Sequence, residues 1–241
     1  TKKPIEVVIN GGTFTAMAAV CQTDVQGTGS ADVKTSVKGG SFNGIVKAET
    51  AGTVAVSGGT FSAALDETVC ASGFVPKAND DGTYSVEEYK PVEIRTGYTG
   101  EKVGEAYATL ADAAANLGKY QWIFVAKDYT LTEDFTIPAG VRVEIATGAT
   151  LTVADGVTLT VAADANRLAV HANATLINNG TILVCGVNYS TGKVLVQDGG
   201  NFDVSTLTPV DKDHVIDRNG NTYFSAKAVF EITYADGTVK K

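Results

Sequence analysis

The sequence predicts an all-β fold: a right-handed parallel β-helix, a β-solenoid in two arrays with one short capping helix around 105–117. Three observations carry this. A phrase made of a short β-run, Gly-Gly, a hydroxyl residue and Phe recurs as VVIN-GGTF at 7–14, TSVK-GGSF at 35–42 and VAVS-GGTF at 54–61, with a looser echo, VLVQD-GGNF, at 194–202. Residues 139–170 write out in eights as AGVRVEIA, TGATLTVA, DGVTLTVA and ADANRLAV, the last with its alternation set one residue later by an extra Ala. The stretch EAYATLADAAANL, 105–117, is the one segment with convincing helical spacing. Repetition of this kind means one structural unit stacked many times, each burying its apolar edge on the next.

In the first array the glycine pairs start at 11, 39 and 58, spacings of 28 and 19. Those bracket a coil of about 20–25 residues, on the order of three short strands with their turns. Glycine pairs suit the corners, where the backbone bends through φ values that a side chain forbids. The Phe that follows each pair, at 14, 42 and 61, is expected to point inward and stack on its counterpart in the next coil. Further on, Tyr107, Leu110, Ala114 and Leu117 share a helix face and Gly118 ends the helix. Ahead of a β-helix such a segment reads as a cap, because an open solenoid end exposes strand edges and an apolar bore.

The second array keeps strand period two within each eight, with Gly140, Gly148 and Gly156 at the corners. Val143, Ile145, Leu151, Val153, Leu159, Val161, Leu168 and Val170 are the expected inward set, and Thr150, Thr152, Thr158 and Thr160 face outward. Three such strands make one coil. Asn178-Asn179-Gly180 is expected as a corner in which Asn takes left-handed geometry and bonds adjacent coils. From about 205 the beat is lost, and the tail reads as antiparallel strands around Asn219-Gly220 and Asp236-Gly237 turns. The expected organisation is 1–91 for the first array, 92–204 for the helix-capped second array and 205–241 for the tail.

A net charge of −8 on 241 residues argues against a nucleic-acid or anionic-membrane partner, since either needs a basic patch. No run approaches the roughly 20 apolar residues of a membrane helix, so no membrane insertion is expected of this segment. Cys21, Cys70 and Cys185 are odd in number and widely spaced, which signals neither a disulfide framework nor a zinc site; small buried hydrophobes are expected there. Thr1 opens directly into repeat sequence, as a segment of a longer, exported chain would.

Two stretches resemble a known family. VSGGTFSAALDETVCASGFVPKANDDGTYSV, 56–86, resembles a recurring unit of large bacterial surface proteins, especially those of gut Gram-positive bacteria. YATLADAAANLGKYQWIFVAKDYTLTEDFTIPAGVRVEI, 107–145, resembles the unit that often follows it, a helix and strand leading into a pectate-lyase-like right-handed β-helix. Together they cover about 70 of the 241 residues. The resemblance implies an adhesin-like protein, secreted or anchored in the cell wall as part of a longer chain, and transfers no catalytic residue.

Enzymes on β-helices that cut acidic polysaccharides need clustered carboxylates with a Lys or Arg base, or an Asp pair with His and Arg-x-Lys. With two His and four Arg the chain shows no such constellation. Asp80-Asp81-Gly82 is turn punctuation, Arg142 and Glu144 are expected as a solvated ion pair on a strand face, and Arg167 and His171 as surface residues near a corner. Asp211, Asp213, Asp217 and Asn219 gather oxygens near one turn, a weak Ca²⁺ candidate whose spacing matches no established calcium loop. No other cofactor is expected. Tyr120, Trp122 and Phe124 alternate with Ile123 and Val125, so an outward aromatic row would offer a sugar-stacking platform, although burial beneath the neighbouring helix is preferred.

The expected function is a non-catalytic adhesin-like stalk or a module binding a glycan or a host or bacterial surface protein. The alternatives are a polysaccharide lyase or glycoside hydrolase of β-helix type, and a purely structural spacer.

Overall fold

The computed structural model describes residues 5–23, 33–50, 53–97, 99–119, 121–187, 190–208, 215–216, 219–226, 232–233 and 239–240. It is nearly all β, a parallel solenoid, and it separates into two units, 1–89 and 90–241.

In the first unit, strands Ile5–Ile9, Val33–Val37 and Val54–Val56 form one parallel sheet, and Thr13–Gln22, Ser41–Ala48 and Thr60–Phe61 a second. Each coil turns from one sheet to the other through its Gly-Gly corner. The two glycines answer different demands. Gly12, Gly40 and Gly59, second in each pair, have φ of 107°, 119° and 111°, a region that L side chains disfavour. In the second and third pairs the first is needed for close approach: a Cβ on Gly39 would lie 2.8 Å from the Asn10 carbonyl oxygen, and one on Gly58 2.4 Å from that of Lys38, whereas one on Gly11 would meet nothing within 4 Å. Beyond the corner, Phe14, Phe42 and Phe61 stack in a column, with ring centroids 5.0 and 4.9 Å apart and planes within 5° and 11°. The described coils have two strands where the spacing suggested three, because no third alternating run separates Ala48 from Val54.

The parallel array of this unit ends in a hairpin. Phe74–Ala78 and Tyr84–Glu88 pair antiparallel, and Tyr84 pairs antiparallel with Phe61. Its turn is set by Asp81, whose Oδ1 accepts from the Thr83 backbone N–H at 3.0 Å and from the Thr83 hydroxyl at 2.6 Å. Those bonds hold the Asp81 carboxyl below its usual range. The Asp80-Asp81-Gly82 segment is therefore a turn device.

The second unit has three faces. On the first, Val92–Arg95, Trp122–Val125, Arg142–Ile145, Arg167–Val170, Lys193–Val196, Thr222–Phe224 and Val215–Ile216 lie side by side. Tyr129–Leu131, Thr150–Val153, Thr175–Asn178 and Asn201–Phe202 make the second, and Phe135–Ile137, Thr158–Val161, Thr181–Val184 and Leu207–Thr208 the third. One eight-residue beat is thus one strand, and three beats make a coil. Stacking is parallel and in register, so Arg142 lies beside Arg167 and Thr150 beside Thr175. All eight residues expected inward are fully buried. Each contributes about 1.5–3 kcal/mol of burial free energy, which makes this ladder the main support of the unit.

Gly140, Gly148 and Gly156 have φ of 71°, 82° and 75°, and a Cβ on any of them would meet open space, so conformation alone calls for glycine there. One corner column runs Gly148, Asn173, Gly199: the Gly148 N–H donates to Asn173 O at 3.0 Å and the Asn173 N–H to Gly199 O at 2.9 Å. Asn173, with φ 58°, takes the left-handed role expected of Asn178-Asn179. Asn178 does bond the adjacent coil as expected, donating its amide to Thr206 O at 3.0 Å.

The helix is Leu110–Ala115, shorter than 105–117. Tyr107 is drawn into an antiparallel bridge with Val92, which removes the first turn, and Thr109 caps the rest by accepting from the Asp112 N–H at 3.0 Å. Leu110 and Ala113 are fully buried in the same cluster as Ile123 and Leu131, so the helix plugs the apolar bore. Both lateral edges of the parallel strands on the first face are covered by antiparallel strands, Val92–Arg95 and Thr222–Phe224. In the tail, Val215–Ile216 pairs antiparallel with Thr222–Phe224 around the Asn219-Gly220 turn, and Ile232–Thr233 pairs antiparallel with Val239–Lys240. The Asp236-Gly237 turn lies outside the described residues.

The cysteines depart from expectation. Cys21 and Cys185 are exposed and Cys70 half-buried, all as free thiols. Cys21 falls on the outward phase between buried Val20 and Gln22, so the strand alternation overrides its preference for the interior. No described helix is long and apolar enough to cross a membrane.

Substitutions at the corners and bore separate these roles. Gly140→Ala should cost about 1–2 kcal/mol, from conformation alone. Gly58→Ala should cost more, because its Cβ meets backbone, and Leu159→Ala about 2–5 kcal/mol. Chemical denaturation with fluorescence readout gives the ranking; a Gly58→Ala variant as stable as wild type would contradict the packed corner. Thr83→Val should raise the Asp81 pKa toward the ordinary carboxylate value, read by carboxyl NMR titration.

Candidate functional site: a cation and aromatic face

On the first face of the second unit, residues alternating with the buried ladder point outward. In-register stacking brings Arg95, Trp122, Arg142, Arg167 and Lys193 into one row across five strands. Beside it lie Glu93, Phe124, Glu144 and Ala169. Three of the four arginines of an acidic chain therefore share one sheet face.

The aromatic rings bed the cations. Trp122 and Phe124 lie near-parallel, centroids 6.4 Å apart with 9° between planes. The Arg142 guanidinium carbon sits 4.2 Å from the Trp122 ring centroid and that of Arg167 5.8 Å, while Arg95 lies 4.8 Å from Phe124. Such contacts contribute about 0.5–2 kcal/mol each, more where water is excluded. At the far end the Lys193 ammonium is 5.3 Å from the Tyr223 ring and donates to Ser190 O at 3.0 Å. Arg95 is paired on its own strand with Glu93 at 2.7 Å.

Glu144 is the anchor of the row. It is fully buried, and its Oε1 accepts from Arg167 Nε at 2.9 Å and Nη2 at 2.8 Å. Its Oε2 lies 2.6 Å from Nε2 of His171, itself only 1% exposed. An ionised carboxylate only accepts, so the His171 Nε2–H donates. The His171 ring also meets Phe124 edge-on at 6.2 Å. This corrects two expectations: Glu144 pairs with residues one coil away and not with Arg142, and His171 is interior. Sequence-local reasoning couples residues two or four apart, whereas the coil places Glu144 beside Arg167 and His171.

That leaves Arg142 stacked on Trp122, drawn by the charge of Glu144 yet in no close ion pair among the described residues. Burial first, then Arg167, pushes its pKa down, and burial, Arg167 and Arg142 do the same to Lys193. Like charges opposed on neighbouring strands repel. Two grooves flank the aromatic pair: one of about 350 Å³ bounded by Arg95, Phe124, Ala146 and His171, and one of about 320 Å³ bounded by Gln121, Trp122, Gly140, Arg142 and Asn166.

Of the aromatic row read from the sequence, Trp122 is half-buried on this face, Phe124 is buried beneath Arg95, and Tyr120 lies outside the described residues. Cations cover the pair, while the helix seats its apolar residues with Ile123 and Val125 on the opposite side of that strand. Asp211, Asp213 and Asp217 also lie outside the described residues, and Asn219 is exposed at a turn. Among the described residues no group of three or more His, Cys, Asp or Glu is placed to hold a metal ion. A smaller hollow beside the helix, about 140 Å³, carries Glu133 and Asp134, but Asp134 Oδ1 accepts the Thr158 N–H at 2.7 Å and serves a coil corner.

The row went unread in the sequence, yet it left a signal. RVEI at 142, RLAV at 167 and KVLV at 193 put a basic residue at the same outward phase of three successive coils. Comparison with protein-family models, curated proteins and solved structures finds no match to this chain.

Replacing Glu144 by Gln should destabilise the second unit by about 3–5 kcal/mol, because it leaves Arg167 and His171 without their shared anion. Urea denaturation of the variant checks this; a loss below about 1 kcal/mol would show that the pair is not the anchor.

Proposed function

We propose that this chain is a non-catalytic, β-helical segment of an exported bacterial surface protein, an adhesin-like module that binds glycans. The observation that carries the reading is the Trp122 and Arg142 face between two grooves on a rigid sheet. A pure spacer has no need of an aromatic bed under three arginines, and guanidinium groups seated on rings of a rigid sheet present ordered donors to a ligand's oxygens. The resemblance of 56–86 and 107–145 to surface-protein units supports the address.

The groups that would serve an enzyme on this face are committed elsewhere. Glu144 spends both oxygens on Arg167 and His171, and His171 presents almost no surface from which to move a proton to a substrate. Among the described residues, the groups beside Trp122 are donors and carboxylates already engaged by Arg95, Arg167 and His171.

A glycan array probed with the chain tests the reading. A defined subset of glycans should be retained, and incubation with those glycans should release no new reducing ends and no unsaturated products. Product release would overturn the non-catalytic assignment, and a blank array would leave a spacer.

A further inference from the structure

We infer that the groove beside Trp122 is a carboxylate subsite, in which Arg142 receives the acid group of a single uronic acid ring and Asn166 and Gln121 bind the hydroxyls around it. The inference rests on the glycan-binding reading above and assigns one sugar of that ligand to one groove.

Arg142 is the group that asks for a partner. It forms no hydrogen bond and no close ion pair among the described residues, although its guanidinium carbon is held 4.2 Å from the Trp122 ring centroid. A side chain already seated in this way has little freedom left to lose when its fork closes on the two oxygens of a carboxylate. Burial first and Arg167 second push its pKa down, and Glu144 offsets them only in part. A carboxylate docked on the fork adds to that offset.

The walls of the groove carry the rest of the recognition. It measures about 320 Å³, and its lining includes the half-buried Leu117 and Val141, two side-chain amides and no carboxylate among the described residues. Gln121 Oε1 accepts the Gly118 N–H at 2.6 Å, which leaves the Nε2 group as the free, donating end of that amide. The Asn166 side chain makes no hydrogen bond to another described residue, so its amide can both donate and accept. Its backbone is fixed all the same: the Asn166 N–H donates to Val141 O at 2.9 Å, and the Gly140 N–H to Asp164 O at 2.8 Å. These rungs of the solenoid make the groove a preformed one.

That lining selects the ligand. A uronic acid ring brings one carboxylate for the fork, hydroxyls for the two amides and C–H faces for Leu117 and Val141. A glutamate side chain would reach the fork with methylenes behind it and leave the amides to water. The volume is at the small end of ligand pockets, about 300 Å³, so a single ring is what it takes.

Trp122 is the only tryptophan of the chain, so its fluorescence reports from this groove. Titration of the full chain with an oligogalacturonate, its methyl ester, galactose 6-sulfate and a blocked peptide bearing one glutamate tests the assignment. The oligogalacturonate should change Trp122 emission and bind at least about tenfold more tightly than its ester, which keeps the ring and loses the charge. Arg142→Gln should abolish that preference, Asn166→Ala should weaken acid and ester alike, and Lys77→Gln, a charge loss in the first unit, should change neither by more than about twofold. The acid-to-ester ratio is read within each protein, and on wild type it needs no variant to fold. Equal binding of acid and ester would overturn the carboxylate subsite while leaving a glycan module intact. The sulfate or the peptide binding as tightly as the oligogalacturonate would overturn the uronic acid class. A preference that survives Arg142→Gln, or that leaves Trp122 emission unchanged, would overturn the groove as its site. No binding in any arm would overturn this inference, and the glycan array then separates the two readings: hits there leave the module standing, and a blank array removes both.

Discussion

In-register parallel stacking of successive coils is the constraint on which the rest of this structure depends. In the second unit each parallel strand satisfies its backbone N–H and C=O groups against the strand one coil away, so a side chain lies on the side chain at the same phase of the next coil. Inside, this makes continuous ladders: Ile123, Val143, Leu168 and Val194 on one wall, Leu151 and Leu176 on another. Like stacked on like is favourable for apolar residues, since adjacent coils exclude water from one another's edges. The Phe14, Phe42 and Phe61 column is the same rule with aromatic rings.

Outside, the rule works against the charged residues. A basic residue at one phase of three coils becomes a line of opposed cations, which no turn or local pairing can separate. The protein's response is visible on the first face. Trp122 and Phe124 supply quadrupoles beneath Arg142 and Arg95, and Glu144 is sunk beneath Arg167 and His171 where low polarity strengthens its pull.

Solenoids also have to end, and each unit described here does so by changing strand direction. The first unit closes its second sheet with the antiparallel hairpin Phe74–Ala78 and Tyr84–Glu88. The second covers its long sheet with Val92–Arg95 at one edge and Thr222–Phe224 at the other, and seats Leu110 and Ala113 in the bore. An antiparallel strand satisfies the last rung without presenting a template for another parallel coil, which is how such edges are kept from pairing with other chains.

Periodicity in the chain by itself determined the solenoid, the corner glycines, the inward ladder of eight and the stacked Phe column, because those depend on local alternation and on a backbone geometry that few residues tolerate. It also determined that a helix would plug the second array, though not that Tyr107 would be taken from it by a bridge to Val92. The partners of Glu144, the burial of His171 and the row Arg142, Arg167, Lys193 were decided only by the tertiary structure. Their coupling spans about one coil of sequence, and coil length varies: Ile123 pairs with Val143, 20 positions on, and Arg167 with Lys193, 26 positions on. A fixed beat predicts which way a side chain points. Only the folded register decides which side chain it meets, and on this face that meeting sets the charge.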